Sequence, residues 1–181
     1  MSRLLVAVVG PSGVGKDSVM EAMAARDPRV TLIRRAITRP EYMGGEAFDG
    51  VSEAQFDTMV AAGDFALHWP AHGLHYGVPW AQLGGDGIQL VNLSRRVLTQ
   101  AAGQFDRFVT LSLTAPDDVL SQRLAARGRE SANDIAERLA RAAFDLPTNT
   151  GPVIEIPNVG PLEDTAWQAL TALDQFQAES V

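Results

Sequence analysis

A nine-residue stretch near the N-terminus constrains this chain more than any other feature. Residues 10–18 read Gly-Pro-Ser-Gly-Val-Gly-Lys-Asp-Ser, and the apolar, β-branched run 4–9 directly before them predicts a buried strand. The glycines allow a tight loop whose backbone N–H groups point inward, and the following helix presents its positive N-terminal end. A polyphosphate fits such a cradle. We therefore predict nucleotide contacts from Gly10, Pro11, Ser12, Gly13, Val14, Gly15, Lys16, Asp17 and Ser18.

Lys16 is the only lysine among 181 residues, whereas arginine occurs 14 times. A chain that uses arginine almost everywhere keeps lysine at the position where a flexible point charge suits the outer phosphates. The alternative is an ordinary glycine-rich turn, but the motif's flanking strand and helix are both expected here. We predict that Lys16 acts in catalysis.

The position after the lysine departs from the usual motif, in which the hydroxyl of Ser or Thr binds magnesium. Here Asp17 occupies it and Ser18 follows. A carboxylate oxygen can bind Mg²⁺ directly or through water. We expect a metal–nucleotide complex, and the sequence leaves open whether Asp17 or Ser18 makes the contact.

Composition limits the class of protein. Hydrophobic residues make up 46% and charged residues 20%, which is typical of one soluble globular domain. No apolar run approaches about 18 residues and the N-terminus does not resemble a secretion signal, so we expect no membrane segment. The lack of cysteine excludes disulfides and is compatible with the cytoplasm, where we place the protein. A net charge of −7 argues against nucleic-acid binding.

Arginines nevertheless cluster, in the pair Arg95 and Arg96 and in two larger groups. The first is Arg34, Arg35 and Arg39, at the end of a strand that starts at residue 30 and that we expect to continue outward through residue 40. Ligands of α/β proteins bind at the carboxyl edge of the sheet, so we expect Arg35 and Arg39 to hold an acceptor's phosphate. The alternative is a solvated edge strand. An acceptor that is itself a phosphate needs no general base, and the sequence shows no obvious one.

The second cluster comprises Arg123, Arg127, Arg129, Arg138 and Arg141. Arginines on a helical hairpin can close as a lid and neutralise charge on a moving phosphoryl group. The alternative is surface pairing at i,i+4 spacing, as between Asp134 and Arg138. We favour the lid for Arg127 and Arg138, with catalytic roles, and surface pairing for Arg141.

Strands alternating with helices predict an α/β fold with a five-stranded parallel sheet covered by helices on both faces, as in P-loop NTPases. Strands 65–69 and 74–77 form a small antiparallel hairpin. His68, His72 and His75 lie there; Pro70 and Gly73 exclude a helical zinc site, which favours ordinary hairpin side chains over metal ligands. We predict a single domain, 1–181, with a core of 1–35, 86–127 and 146–181, an acceptor-binding insert of 36–85 and a lid of 128–145.

These segments resemble the guanylate-kinase-like branch of the nucleoside monophosphate kinases over nearly the whole chain. The shared motifs are Gly-Pro-Ser-Gly-x-Gly-Lys at 10–16, Thr-Arg-Pro at 38–40, Gly-Glu at 45–46, Tyr-Gly at 76–77, and Arg-x-x-x-Arg-Gly at 123–128 with Arg138 downstream. The groups that read guanine in that branch are replaced here by Leu67, Tyr42 and Val78. A pocket without hydrogen-bonding groups discriminates poorly for a base.

The chain is more similar still to the ribose 1,5-bisphosphate phosphokinases of phosphonate breakdown. Five segments carry this likeness: 16–18, 37–40, 69–77, 91–95 and 127–130. The resemblance implies that the γ-phosphoryl group of ATP, with Mg²⁺, passes to the 1-phosphate of ribose 1,5-bisphosphate. The product would be 5-phosphoribosyl 1-diphosphate.

The resemblance also suggests which residues bind each substrate. Those expected to hold the phosphorylated ribose are Arg35, Arg39, Glu46, Tyr76, Asn92, Ser94 and Arg95, while Arg129 and Asn158 are expected to bind ATP, Asn158 at the adenine. Two alternatives stay open: a kinase for GMP, and a non-catalytic guanylate-kinase-like module that binds a phosphorylated peptide. The sequence leaves the oligomeric state open, with a homodimer among the alternatives.

Overall fold

The computed structural model describes residues 3–40, 47–126 and 146–179, which form two sheets and their covering helices. The helices are α1 Lys16–Arg26, α2 Glu53–Ala62, α3 Leu98–Gln104, α4 Asp117–Ala126 and α5 Leu162–Glu179, with 3-10 turns at Trp80–Gln82 and Arg95–Val97. The strands are β1 Leu4–Val9, β2 Val30–Leu32, β3 Ala36–Ile37, β4 Asp49–Gly50, β5 Phe65–Ala71, β6 Leu74–Pro79, β7 Ile88–Asn92, β8 Phe108–Thr114 and β9 Val153–Pro157.

The larger sheet has five strands in the order β2-β7-β1-β8-β9, and every neighbouring pair is parallel. All six residues of the central strand β1 are buried, as expected where helices cover both faces. Alternate residues starting at Leu4 pack with α1 and α5, whereas those starting at Leu5 pack with α3. The predicted α/β fold with five parallel strands is confirmed.

The smaller sheet has the order β4-β3-β6-β5, with β5 and β6 forming the predicted antiparallel hairpin. Its turn is at His72 and Gly73, which adopt φ values of 53° and 72°. The predicted outward continuation of β2 through residue 40 is wrong. Ile33 makes the last backbone bond to β7, and the chain then leaves to pair Ala36 and Ile37 with β6 and β4. There Ala36 is buried against Phe56 and Phe65.

Two helices show how local sequence and packing combine. A capping box, which the spacing of Ser52 and Gln55 predicts, begins α2: Ser52 Oγ accepts from Gln55 N at 3.2 Å and Gln55 Oε1 accepts from Ser52 N at 2.8 Å. The sequence predicts that Trp167, Leu170 and Leu173 share the apolar face of α5. Leu170 and Leu173 are buried, but Trp167 is 53% exposed. Trp167 lies outside the face defined by 166, 169–170 and 173, whose spacing follows the helical period.

In the part of the chain that the structure describes, no helix combines the length and apolar character needed to cross a bilayer.

An ion-pair cluster joins the C-terminal end of α1 to α5. Arg29 donates to both carboxylate oxygens of Asp27 and lies 3.0 Å from Asp174. The hydrogen bonds from Arg29 hold the pKa of Asp27 below its ordinary value, and Asp27 and Asp174 raise the pKa of Arg29. A lowered carboxylate pKa contributes stability above the unfolded-state pKa, about 3.9, and that stability is lost as the pH falls through the folded-state pKa.

We expect Arg29→Gln to raise the pKa of Asp27, measured by NMR titration. At pH 7 the loss of unfolding free energy should stay below about 1 kcal/mol, because the Arg29 side chain is 41% exposed and solvent screens the pair. The difference from the unchanged protein should shrink as the pH falls below about 4. Arg26→Gln is the control, since Arg26 lies 3.9 Å from exposed Glu163. An unchanged Asp27 pKa in the Arg29 variant would contradict the assignment.

Candidate active site

The loop between β1 and α1 depends on glycine at two positions in particular. Gly13 and Gly15 adopt φ values of 85° and 90°, which side-chain-bearing residues rarely adopt. A Cβ at Gly13 would lie 3.1 Å from Leu124 Cγ in α4, and one at Gly15 would lie 3.0 Å from Asn158 Nδ2. The loop is therefore packed closely against α4 and against the segment after β9.

Lys16 begins α1 and its side chain folds back over this loop. Its Nζ donates to the Gly10 carbonyl at 2.9 Å and to the Pro11 carbonyl at 3.4 Å. The ammonium group consequently lies across the loop, between its first and last residues. This places a mobile positive charge where a bound polyphosphate would need it.

Asp17 is held by the neighbouring strand. Asn92 is the last residue of β7, and its Nδ2 donates to Asp17 Oδ1 at 3.2 Å. Asp17 is half-buried and Ser18 is exposed. The structure thus orients the Asp17 carboxylate beside the loop. The Asn92 amide, expected to contact the acceptor's ribose, instead has its hydrogen-bond partner, Asp17, beside the proposed nucleotide site.

Asn158 lies beneath the loop. It is 5% exposed, its Nδ2 donates to the Val14 carbonyl at 2.7 Å, and its Oδ1 accepts from the Thr165 hydroxyl at 2.9 Å. Arg123 also donates to the Val14 carbonyl, at 3.3 Å. Both ends of the Asn158 amide therefore have partners within the protein, and its contact with adenine stays a prediction.

A stack of rings positions Arg35. The rings of Trp69 and Tyr76, on opposed residues of the hairpin, stack with centroids 5.6 Å apart and planes 10° apart. The Arg35 Cζ lies 5.1 Å from the Tyr76 centroid and 5.8 Å from that of Trp69, and Arg35 is 6% exposed. Cation–π contact of this kind is strongest where water is excluded. Sequence reasoning missed Trp69, although its register with Tyr76 follows from the hairpin.

Arg39 lies over a second ring. Its Cζ is 4.5 Å from the centroid of buried Phe48. Beside it opens a cleft of about 370 Å³ lined by Thr38, Arg39, Pro40, Gly50, Val51, Ser52 and Glu53. The hydroxyl of Thr38 accepts from the backbone N–H of His75 at 2.9 Å and joins this segment to the hairpin.

Two of the three residues that replace the guanine-reading groups, Leu67 and Val78, form a buried apolar wall, and the third, Tyr42, lies outside the described residues. Leu67 and Val78 are paired across the hairpin and both are 0% exposed. They belong to a cluster that includes Trp69 and against which Tyr76 packs. This wall offers no side-chain hydrogen bond to a base.

The remaining predicted residues are distributed as follows. Ser94 accepts from Arg96 N at 3.4 Å and caps the 3-10 turn that contains Arg95. His68 and His75 have ring contacts with Phe56, and in residues 3–40, 47–126 and 146–179 no three His, Cys, Asp or Glu residues are grouped as metal ligands. Outside the described residues lie Glu46, Arg127, Arg129, Arg138 and the predicted lid 128–145.

A parallel sheet with a Gly-x-x-x-x-Gly-Lys loop between its central strand and the next helix defines a P-loop NTPase fold. A solved guanylate kinase from Anaplasma phagocytophilum shares this fold with a TM-score of 0.67, at 18% identity over 97% of this chain and 86% of that one.

Sequence comparison then gives the family, although no family model matches the chain. A ribose 1,5-bisphosphate phosphokinase PhnN from Ruegeria sp. (strain TM1040) is 52% identical over 178 residues, which is 96% of this chain and 93% of that protein. The protein of the same name from Brucella melitensis biotype 2 (strain ATCC 23457) is 44% identical over 183 residues, 97% of this chain and 94% of that one. The chain belongs to the ribose 1,5-bisphosphate phosphokinase family.

Proposed function

We propose that this protein transfers the γ-phosphoryl group of ATP to the 1-phosphate of ribose 1,5-bisphosphate, releasing ADP and 5-phosphoribosyl 1-diphosphate. The observation that carries the proposal is the combination of two cationic sites with an apolar wall at the positions where related kinases have side chains that hydrogen-bond to a base. Lys16 lies across the loop, the rings of Trp69 and Tyr76 position Arg35, and Leu67 and Val78 are buried. The names of the relatives support the same reaction.

Parallel pairing supports the placement of both substrates at one edge of the sheet. The loop follows β1, Arg35 follows β2 and Asn92 ends β7, and these three strands run in the same direction. Their carboxyl ends therefore meet at one edge, where ligands of α/β proteins bind. The second sheet, β3–β6, adds Arg39 and Tyr76 there, which supports an acceptor-binding insert of 36–85.

The chemistry follows from these charges. An oxygen of the 1-phosphate attacks the γ-phosphorus of ATP. The bond between the γ-phosphorus and the β,γ-bridging oxygen breaks, and ADP leaves. The nucleophile is already anionic, so no side chain has to remove a proton. Lys16 stabilises charge on the donor phosphates, while Arg35 and Arg39 orient the acceptor with guanidinium contacts. We further propose that Arg127, directly before a lid of 128–145, and Arg138, within that lid, contact the moving group, and that the lid excludes water.

The donor complex is expected to carry Mg²⁺, which supplies charge neutralisation at the β- and γ-phosphates when bound. The Asp17 carboxylate fits this cation, because oxygen ligands are those that Mg²⁺ prefers. Asn92 orients one of its oxygens, and among the described residues the other has no hydrogen-bond partner. We propose Asp17, not exposed Ser18, as the residue that holds the metal.

The test of the reaction is ADP release measured with four acceptors: ribose 1,5-bisphosphate, GMP, AMP and gluconate. We expect kcat/KM for the bisphosphate to exceed that for GMP at least about 100-fold. An apolar wall cannot replace the hydrogen bonds to water that the edge of a guanine base loses when it is buried. Lys16→Ala, with an unchanged melting temperature, should show no release with any acceptor. Preference for GMP or AMP would instead support a nucleotide kinase. No turnover with any acceptor would support a binding module.

Arg39→Ala tests the acceptor site. Loss of a charge-assisted contact to phosphate should raise KM for ribose 1,5-bisphosphate about tenfold or more and change KM for ATP less than about threefold. Arg26→Ala, which removes an equal charge from the far end of α1, should change neither constant. Equal losses for both substrates in the Arg39 variant would count against the assignment.

Asp17→Asn tests the metal site without relying on turnover. Mn²⁺ binding to the enzyme–ADP complex, followed by electron paramagnetic resonance, should weaken about tenfold, because the variant loses the ligand charge. Ser18→Ala is the matched variant and should bind Mn²⁺ within about twofold of the unchanged protein. The reverse pattern would assign the metal to Ser18.

A further inference from the structure

The carbonyl group of Val14 accepts from two side chains, Arg123 at 3.3 Å and Asn158, which lies 144 positions away in the chain. The bond from Asn158 Nδ2 is the shorter, at 2.7 Å, and the backbone N–H of Asn158 is itself bonded to the Thr114 carbonyl at the end of β8. Asn158 and Thr165 are 5% and 2% exposed, so water does not compete for these bonds. The Asn158 side chain, which we call the anchor, is therefore held in place by its own bonds, and its amide nitrogen points at one peptide group of the phosphate loop.

The geometry of the peptide bond turns this anchor into a constraint on the next residue. In a trans peptide the C=O and the following N–H lie in one plane and point in opposite directions. With the Val14 oxygen directed down at Asn158, the N–H of Gly15 is directed away from Asn158, into the loop. Gly15 can adopt this orientation because its φ is 90° and it has no Cβ, which would approach Asn158 Nδ2 to 3.0 Å.

Thr165 determines which way the Asn158 amide faces. A carbonyl only accepts hydrogen bonds, so the amide nitrogen has to face Val14. The amide oxygen then faces the Thr165 hydroxyl, which donates to it at 2.9 Å from the first turn of α5. An aspartate at 158 would keep the bond from Thr165 but would set a carboxylate oxygen against the Val14 carbonyl.

We propose that Asn158 and Thr165 are positioning residues that aim the Gly15 N–H at the phosphates of the bound nucleotide. This inference rests on the proposed binding of a nucleotide at the loop and not on the identity of the acceptor. It gives Asn158 a task different from the adenine contact that the resemblance implied. The two roles differ in one measurable respect: positioning of the loop affects any polyphosphate, whereas an adenine contact affects only ligands with a base.

The experiment compares two probes, ADP and inorganic tripolyphosphate, by isothermal titration calorimetry. Loss of one aligned hydrogen bond should weaken both probes about threefold to tenfold in Thr165→Val, and at least as much in Asn158→Asp. Thr165→Ser keeps the hydroxyl and should bind both within about twofold of the unchanged protein.

Thr110→Val is the matched control for stability. Thr110 is also a fully buried threonine whose hydroxyl donates to a carbonyl, that of Thr150 at 3.2 Å, and it lies within β8 away from the loop. It should lower the melting temperature about as much as Thr165→Val while leaving both affinities unchanged.

Three results would overturn the proposal: a lower melting temperature in Thr165→Val with unchanged affinities, weaker binding of ADP alone, or a Thr165→Ser variant as impaired as Thr165→Val. Failure of the reaction itself would look different. Failure of the acceptor panel with intact ADP binding would overturn only the proposed function. Intact turnover with equal polyphosphate affinity in all variants would overturn only the positioning role.

Discussion

Parallel pairing of β1 with β7 and β8 is the constraint on which the rest of the structure depends. Because the three strands run in one direction, their carboxyl ends deliver the phosphate loop, Asn92 and Thr114 to the same edge of the sheet. Asn158 follows β9 at this edge and bonds to both Thr114 and Val14. If either neighbour of β1 were antiparallel, one of these groups would lie at the opposite edge of the sheet. The loop would then lose either the contact of Asn92 with Asp17 or the support that Asn158 receives from Thr114.

The chain distributes its arginines by two different chemistries. Arg29 and Arg34 are held by Asp27 and Asp49. Arg35 and Arg39 also lie against ring faces. A ring face attracts a guanidinium electrostatically, and the contact strengthens where water is excluded. Such local contacts position positive charge within a protein whose net charge is −7.

Sequence reasoning succeeded where the determinants are local and failed where they are distant. The loop, the Ser52 cap and the alternation of strands with helices follow from short-range patterns. The move of Ala36 and Ile37 into the second sheet could not be predicted, because it depends on pairing with residues 76–77. Nor could the bond from Asn158 to Val14, since the two residues are 144 positions apart. The order of the motifs identified the family, whereas the contacts around the loop depend on the packing of distant segments.

The absence of a base reader from the Leu67–Val78 wall has an energetic consequence for specificity. A purine edge that left water for this wall would lose its hydrogen bonds without replacement, at a cost of about 1–3 kcal/mol for each unpaired polar group. A phosphorylated ribose has no such edge, and its charges can be matched by Arg35 and Arg39. In the proposed function, discrimination against nucleotides therefore requires no steric block. We propose that it follows from the buried apolar side chains at positions 67 and 78.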